Sequence, residues 1–257
     1  MQNSQKAQKT LLVTGASSGM GLRLCQLAGS NGFTKVIGVG RRLDALTKAG
    51  SGLEGQDVEF IPIAADLSEG KDAVDHIRNK VEKSCTKIDV LVNNAGVLHE
   101  KPIADVSWED WKDSMRVNLA SPYFLTQAML PYLQKSGSPV VVNMSSTLAS
   151  KPIPGTSIYN IAKAGLNMMT KTLALELAPK IRVNGIMPAV VDTPMFRGRF
   201  ENEEKLKEAM PSVEGLHPLS RIGTVDDIAN AVFFLSSEQS NWVTGVVLPV
   251  DGGMLTN

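Results

Sequence analysis

The sequence predicts an α/β protein built on a doubly wound parallel sheet of about seven strands, with helices on both faces. Short apolar runs recur along the chain, and several are continuous rather than alternating, which is typical of strands buried on both faces. Segments with helical periodicity lie between these runs, as right-handed strand–helix–strand crossovers require. The predicted strands are Leu11–Thr14, Lys35–Val39, Val58–Ile63, Ile88–Val92, Val140–Met144, Ile181–Met187 and Val246–Val250.

The helical pattern is clearest near the C-terminus, where Thr224 is placed to cap a helix whose first turn holds Asp226 and Asp227. Acidic side chains there interact favourably with the helix dipole. The remaining irregular stretch, Asp192–Leu219, contains one charged helical piece, Glu201–Ala209. We expect it to form a lid on a single domain spanning residues 1–257. The predicted helices are Met20–Ala28, Ala73–Val81, Trp108–Leu133, Ser157–Leu177 and Thr224–Leu235.

Composition excludes several classes of function. The 257 residues carry 26 basic and 26 acidic side chains, so nothing indicates binding to nucleic acid or to an anionic membrane. The longest apolar stretch, around Ile228–Leu235, is too short to cross a bilayer. Cys25 and Cys85 lack metal-ligand spacing, which predicts free thiols and no metal site. The polar start, MQNSQKAQKT, is unlike a signal peptide, so we expect a cytoplasmic protein.

A glycine-rich loop follows the first strand directly. Gly15, Gly19 and Gly21 lie in TGASSGMG at the start of the next helix, where backbone N–H groups can approach a pyrophosphate. The spacing is GxxxGxG rather than the commoner GxGxxG, and a turn that binds nothing is the alternative.

The same loop also matches G-x-S-x-G, the nucleophile elbow of hydrolases. Ser17, Asp192 and His217 occur in the order of a hydrolase triad. However, a serine that follows the first strand has no upstream strand–helix loop to complete an oxyanion hole. A serine hydrolase is therefore the remoter alternative.

Tyr159 and Lys163 lie four residues apart in a predicted helix, so their side chains can reach one site. A neighbouring ammonium favours the phenolate and would lower the pKa of the tyrosine. Such a pair suits proton transfer to a carbonyl oxygen while hydride attacks the carbon. A surface pair without function is the alternative.

Together these motifs, in this order, resemble the short-chain dehydrogenase/reductase family, in the branch whose members include 3-ketoacyl reductases. The resemblance extends from about Lys9 to Met254. It also includes Asn118 in a helix and Ser146, 13 residues before Tyr159. The further matching segments are Asn93-Asn94-Ala95-Gly96, Pro188, Thr193 and Val250-Asp251-Gly252-Gly253.

This resemblance implies a Rossmann fold and a catalytic set of Asn118, Ser146, Tyr159 and Lys163. Tyr159 would exchange the proton, Lys163 would lower its pKa and bind the nicotinamide ribose, and Ser146 would stabilise the substrate oxygen. Asn118 would position a water in a proton relay. The cofactor residues implied are Gly15, Ser17, Ser18, Gly19, Met20, Gly21, Arg41, Arg42, Asp66, Leu67, Asn93, Ala95, Gly96, Tyr159, Lys163, Pro188, Val191 and Thr193.

The end of the second strand favours NADP(H) over NAD(H). Gly40 stands where NAD-preferring members usually carry an acid, and Arg41 and Arg42 suit a 2′-phosphate. Ser18, where many NADP-using relatives have a basic residue, argues against this preference, and a solvated helix start is the alternative. Ala189 replaces a frequent family glycine and disfavours a positive φ angle.

The resemblance implies an NADPH-dependent carbonyl reductase or alcohol dehydrogenase of small molecules, in a homotetramer or dimer. A ketoacyl reductase and a reductase of small ketones, sugars or steroids stay open, as does a catalytically silent NADPH-binding regulator. The long helices that begin at Trp108 and Ser157 are apolar over more than one stripe, which fits burial against a second subunit. Candidate substrate-pocket walls are Leu98, His99, Leu148, Ile153, Met195 and Phe196.

Overall fold

The structure, a computed structural model, describes residues 8–53 and 57–256. A seven-stranded, fully parallel sheet has the order β3-β2-β1-β4-β5-β6-β7, which confirms the predicted doubly wound fold. The first seven residues, on which the signal-peptide expectation partly rests, lie outside the described residues. The strands are β1 (Thr10–Thr14), β2 (Lys35–Gly40), β3 (Glu59–Ala64), β4 (Val90–Asn93), β5 (Val140–Met144), β6 (Arg182–Pro188) and β7 (Val247–Val250).

Helices cover both faces of the sheet. The helices are α1 (Gly19–Leu27), α2 (Leu43–Ser51), α3 (Lys71–Ser84), α4 (Trp108–Met115), α5 (Ser121–Leu133), α6 (Ser157–Leu177), α7 (Pro194–Arg197), α8 (Glu203–Glu214) and α9 (Val225–Leu235). Within the described part of the chain, none of them is long and apolar enough to cross a membrane.

Alternate residues of the central strands bury against opposite helix layers. Leu12 packs with one layer, in a cluster that includes Ile77 of α3 and Leu166 of α6. Leu11 packs with the other, in a cluster that includes Leu24 of α1 and Ile228 of α9. Burial on both sides explains why these strands read as continuous apolar runs.

Two predicted helices differ from the sequence-based expectation, and two short helices, α2 and α7, were not predicted. The predicted helix Trp108–Leu133 is interrupted by a π-helical segment, Arg116–Ala120, between α4 and α5. The charged piece expected at Glu201–Ala209 forms α8, which starts after the Asn202 cap and extends to Glu214. Helix α2 was not predicted, because its nine residues form only about two and a half turns, too few to show a clear helical period.

The cap expected for α9 is confirmed. The Thr224 hydroxyl accepts from the Asp227 N–H, and the Asp227 carboxylate accepts from the Thr224 N–H. This reciprocal pair fixes where α9 begins. Asp226 instead forms an ion pair with Arg23 of α1, 2.7 Å away, so α1 and α9 are joined on one face.

Candidate active site

The glycine loop is closely packed at the carboxyl end of β1. Gly15 and Gly19 have φ angles of +70° and +53°, which side chains rarely tolerate. A Cβ atom on Gly21 would lie 2.2 Å from the Gly15 carbonyl oxygen. The three glycines are therefore required by geometry, and the backbone of the loop is free to approach a ligand at the N-terminus of α1.

Asn94 holds this loop, whereas its neighbour Asn93, expected among the cofactor residues, joins two strands. The Asn94 side chain donates to the Thr14 carbonyl (2.8 Å), and the N–H groups of Asn94 and Ala95 donate to the Thr14 hydroxyl, each over 3.0 Å. Asn93 points into the core and donates to Asn143 Oδ1 (2.9 Å), joining β4 to β5. The motif Asn93-Asn94-Ala95-Gly96 identified this region in the sequence. Which asparagine holds the loop and which joins the strands depends on where each side chain points in the structure.

A cavity of about 200 Å³ lies beside the loop, at the carboxyl edge where β1 and β4 are adjacent and the strand order reverses. Ligands of doubly wound sheets bind at this point. Eight predicted cofactor residues line it: Gly15, Ser17, Ser18, Arg41, Asp66, Leu67, Ala95 and Gly96. Seven further residues line the cavity without having been predicted as cofactor contacts: Val39, Gly40, Ala65, Ser68, Val97, Asp113 and Val117.

The two arginines after β2 separate in the structure. Arg41 is exposed and lines the cavity, and it forms no ion pair with any described residue. Arg42 is the N-cap residue of α2 and does not line the cavity. Asp66 accepts from the Ser68 N–H through Oδ1 (3.0 Å), which orients its carboxyl group in the cavity wall. A guanidinium that has no ion-pair partner among the described residues, beside the glycine loop, is suited to bind an anionic group.

Helix α6 carries Tyr159 and Lys163 one turn apart, both almost fully buried. Lys163 Nζ lies 5.6 Å from the Tyr159 ring centroid and donates to the Met144 carbonyl (2.8 Å). Ser146, at the end of β5, hydrogen bonds to Tyr159 and accepts from the Leu148 N–H. The structure thus brings the predicted serine, tyrosine and lysine together.

The pKa of Tyr159 differs from the expectation. Burial raises the pKa of the phenol to about 12, although the hydrogen bond from Ser146 opposes the shift. Burial lowers the pKa of Lys163 to about 8. Because the ammonium lies over the ring and binds Met144, desolvation outweighs its attraction for a phenolate. At neutral pH the phenol is therefore protonated and most of the lysine is charged.

Asn118 lies in the π-helical segment, and both ends of its side-chain amide bind described residues. Its Oδ1 accepts from the Val97 N–H (3.1 Å), and its Nδ2 donates to the Val97 carbonyl (2.9 Å) and the Ser114 hydroxyl (3.2 Å). A Cβ on Gly96 would lie 3.0 Å from Asn118 Oδ1 and 3.5 Å from Lys163 Nζ. Gly96 therefore lies between the asparagine and the lysine.

The segment after β6 lies against the glycine loop. A Cβ on Gly19 would lie 3.4 Å from the Thr193 methyl group. The Thr193 hydroxyl donates to the Val191 carbonyl (3.2 Å), which orients it over the start of α7. Pro188 is the last residue of β6. Among the described residues, Ser220 is the only non-glycine residue with a positive φ angle, so Ala189 has an ordinary backbone conformation.

The remaining predicted residues occupy varied positions. Met20 lies in the first turn of α1 and packs against the core. Of the predicted pocket walls, Phe196 is buried against Phe200, whereas Met195 is exposed. His99 binds Asp113, with Nε2 2.7 Å from Oδ2, so it lies next to the cavity beside the glycine loop.

The residues of the hydrolase alternative do not form a triad. Ser17 lines the cavity of the glycine loop, and Asp192 is paired with the Arg197 guanidinium, 2.6 Å away. His217 is buried beside a different cavity, and its Nδ1 is bound to the Val213 carbonyl (3.0 Å). The structure does not support a serine hydrolase.

Comparison with known proteins gives consistent matches along the chain. The family model described as enoyl-(acyl carrier protein) reductase matches residues 15–255. The 3-oxoacyl-[acyl-carrier-protein] reductase of Thermotoga maritima is 36% identical over 251 residues, covering 96% of this chain and 98% of the relative. Human L-xylulose reductase is 33% identical, covering 96% of each chain.

A solved structure of L-sorbose reductase from Gluconobacter frateurii, complexed with NADPH and L-sorbose, superposes with a TM-score of 0.91 at 30% identity, covering 98% of each chain. These relatives match the whole sheet and not an isolated motif. With the glycine loop and the buried tyrosine–lysine pair, they show that the chain belongs to the short-chain dehydrogenase/reductase family and is an oxidoreductase acting on carbonyl and alcohol groups.

Proposed function

We propose that the protein is an NADPH-dependent reductase that converts a ketone to a secondary alcohol, or catalyses the reverse reaction, with Tyr159 as general acid or base. The observation that carries this proposal is the buried group of Ser146, Tyr159 and Lys163 at the same sheet edge as the glycine-loop cavity. The names of the three relatives support reduction of a carbonyl group.

The residues present fit a dinucleotide. The loop has no side chain where Gly21 packs on Gly15, and Arg41 is available for a 2′-phosphate. Bound NADPH would supply the hydride. Val191 and Thr193, two of the cofactor residues that the family resemblance implies, would hold its carboxamide group.

The chain supplies the proton and stabilises charge. With a pKa raised to about 12, Tyr159 holds its proton at neutral pH and can donate it to the substrate oxygen. The Ser146 hydroxyl can donate a hydrogen bond to the charge that develops on that oxygen. The cationic form of Lys163, 5.6 Å from the ring centroid, stabilises the tyrosinate left behind. In this proposal Asn118 positions the water that returns a proton to Lys163.

We further propose that the enzyme is a cytoplasmic homo-oligomer with one catalytic domain per chain and residues 192–219 as its lid. Helix α6 presents an exposed apolar stripe of Ile161, Met168 and Leu175, spaced by seven residues. A stripe repeating every seven residues suits packing against a helix of a second copy. The free cysteines Cys25 and Cys85 suit a reducing compartment.

The proposal is tested by following NADPH and NADH oxidation in parallel with a panel of ketones, ketoacyl esters and ketoses. We expect NADPH-dependent turnover, and Tyr159→Phe should reduce kcat by about 10²-fold or more while NADPH still binds. Binding of NADPH without turnover of any carbonyl would favour the silent regulator instead.

The cofactor preference has its own test. Arg41→Ala should weaken NADPH binding by about tenfold or more and leave NADH binding nearly unchanged, because only NADPH carries the 2′-phosphate. Arg42→Ala, which changes a neighbouring cation outside the cavity, is the matched control. Equal effects on both cofactors would contradict the assignment of Arg41.

A further inference from the structure

A bidentate ion pair joins two segments that are distant in the sequence. Arg199 Nε donates to Glu100 Oε2 (2.9 Å), and Arg199 Nη2 donates to Glu100 Oε1 (2.8 Å). Glu100 follows β4, and Arg199 lies between α7 and α8. Two parallel hydrogen bonds fix orientation as well as distance, so the pair holds the two segments in one arrangement.

This pair lies next to the segment that leads into α6, the helix of Tyr159. The Lys101 N–H donates to the Gly155 carbonyl (2.8 Å), and a Cβ on Gly155 would lie 3.7 Å from Glu100 Cγ. Gly155 is four residues before Tyr159. The segments that follow β4, β5 and β6 therefore meet at Glu100, at the sheet edge over which ligands bind.

Both ends of the predicted lid, residues 192–219, contact the rest of the chain. Its start packs against Gly19 through Thr193, and the Leu219 N–H donates to the Gly252 carbonyl (3.1 Å). Within the described residues, the other ion pairs of the lid stay inside it: Asp192–Arg197, Arg197–Glu203 and Lys205–Glu208. Glu100–Arg199 is thus the ion pair that connects the middle of the lid to the rest of the chain.

We propose that Glu100 and Arg199 form a latch across the mouth of the substrate site and determine the size of substrate that the enzyme accepts. The closed latch admits compact carbonyl compounds, such as short ketones and ketoses, and disfavours a ketone carried at the end of a long thioester. The side chains of Arg199 and Glu100 are 32% and 43% exposed, so solvent weakens the pair and it can open. This inference rests on the proposed function, since both classes of substrate must react at Tyr159.

Two β-ketoacyl probes test the latch with wild-type enzyme and NADPH. Ethyl acetoacetate and acetoacetyl-pantetheine present similar β-keto groups on a short and a long uncharged tail. We expect Glu100→Gln and Arg199→Gln each to shift the ratio of kcat/KM toward the long probe by about fivefold, as a weak surface ion pair allows. The swapped double variant Glu100→Arg/Arg199→Glu should return the ratio toward wild type.

The matched control is Arg221→Gln. Arg221, two residues beyond the lid, forms a second partly exposed bidentate pair, at 2.7 and 2.9 Å, with Asp227 of α9 rather than with the segment that follows β4. This variant should leave the substrate ratio unchanged. Hydrogen exchange of residues 192–219 gives a readout that does not depend on turnover, and the two latch variants should accelerate it.

The outcomes separate this inference from the function on which it rests. If the wild-type enzyme is active but neither single variant changes the ratio of kcat/KM for the two probes, the latch is overturned. The same holds if neither variant changes the hydrogen exchange of residues 192–219. The proposed reductase activity is unaffected in both cases. Wild-type protein that binds NADPH but reduces no carbonyl overturns the proposed function and the size selection with it. A shift in Arg221→Gln equal to that of the latch variants also overturns the proposal.

Discussion

The opposite pKa shifts of Tyr159 and Lys163 follow from one cause. Each side chain is almost completely buried, and burial disfavours whichever form is charged. The phenol keeps its proton more firmly, and the ammonium loses its proton more easily. Donation from Tyr159 to a substrate therefore depends on the nearby lysine being charged when the tyrosinate forms.

This dependence predicts a pH profile. The pKa of Lys163 is lowered to about 8, so its charged form is present below that pH and is lost above it. We expect kcat/KM for carbonyl reduction to be level below pH 8 and to fall as pH rises through this value, since kcat/KM reports groups of the free enzyme. Steady-state kinetics between about pH 6 and 10 measure it.

Lys163→Arg is the control, because arginine stays charged at every pH of the assay. The variant should be slower, because the planar guanidinium fits the ammonium site poorly, and its profile should lose the fall near pH 8. A fall that stays at pH 8 in this variant would assign the titration to another group.

At the scale of the element, the π-helical segment Arg116–Ala120 positions Asn118. Asn118 Nδ2 donates to Ser114 Oγ over 3.2 Å, and Ser114 Oγ donates to the Ile158 carbonyl over 3.4 Å. Ile158 directly precedes Tyr159, so Ser114 connects the asparagine to the helix that carries the tyrosine. Interruptions of this kind are frequent at functional sites.

Ser114→Ala should therefore affect both stability and catalysis. One amide hydrogen of buried Asn118 loses its partner, which costs about 1–3 kcal/mol of unfolding free energy. We expect kcat to fall several-fold with the affinity for NADPH unchanged, as measured by denaturant unfolding, kinetics and cofactor titration. Ser114→Thr, which keeps a hydroxyl, should recover part of kcat.

Ser236→Ala is the control, because it removes a buried hydrogen bond that has only a structural role. Ser236 is buried at the end of α9 and donates to the Val232 carbonyl (2.7 Å), outside the group around Tyr159. It should lower stability without changing kcat. If Ser114→Ala behaves in the same way, Ser114 is structural only.

At the scale of the whole molecule, the exposed side of α6 predicts where copies of the chain associate. Met168 and Leu175 are 62% and 83% exposed, which is unusual for two apolar side chains of one helix. We expect Met168→Glu to dissociate the oligomer, because a charge buried at an interface without a partner is costly. Sedimentation or light scattering should show a smaller species.

Ile103→Glu is a suitable control, since Ile103 is 84% exposed but lies on the segment before α4 and not on α6. This variant should leave the mass of the oligomer unchanged. A wild-type protein that is monomeric at assay concentrations would contradict the proposed assembly.

Local patterns of the sequence predicted most of the fold. Continuous apolar runs predicted all seven strands to within two residues at most ends, and helical periodicity predicted α6 at Ser157–Leu177. The interruption of Trp108–Leu133 was missed, because a π turn leaves the apolar pattern nearly unchanged and depends on contacts of Asn118 with Val97. Helix α2 is too short, at nine residues, to be detected by periodicity.

The sequence by itself therefore determined the parallel sheet, the glycine loop and the spacing of Tyr159 and Lys163, because each depends on residues that are close together in the chain. Only the tertiary structure decided that Asn94 holds the loop at Thr14, that Arg199 reaches Glu100, and that burial raises the pKa of Tyr159. The first two are contacts between residues 80 and 99 positions apart, and the third depends on how completely the surrounding elements exclude water.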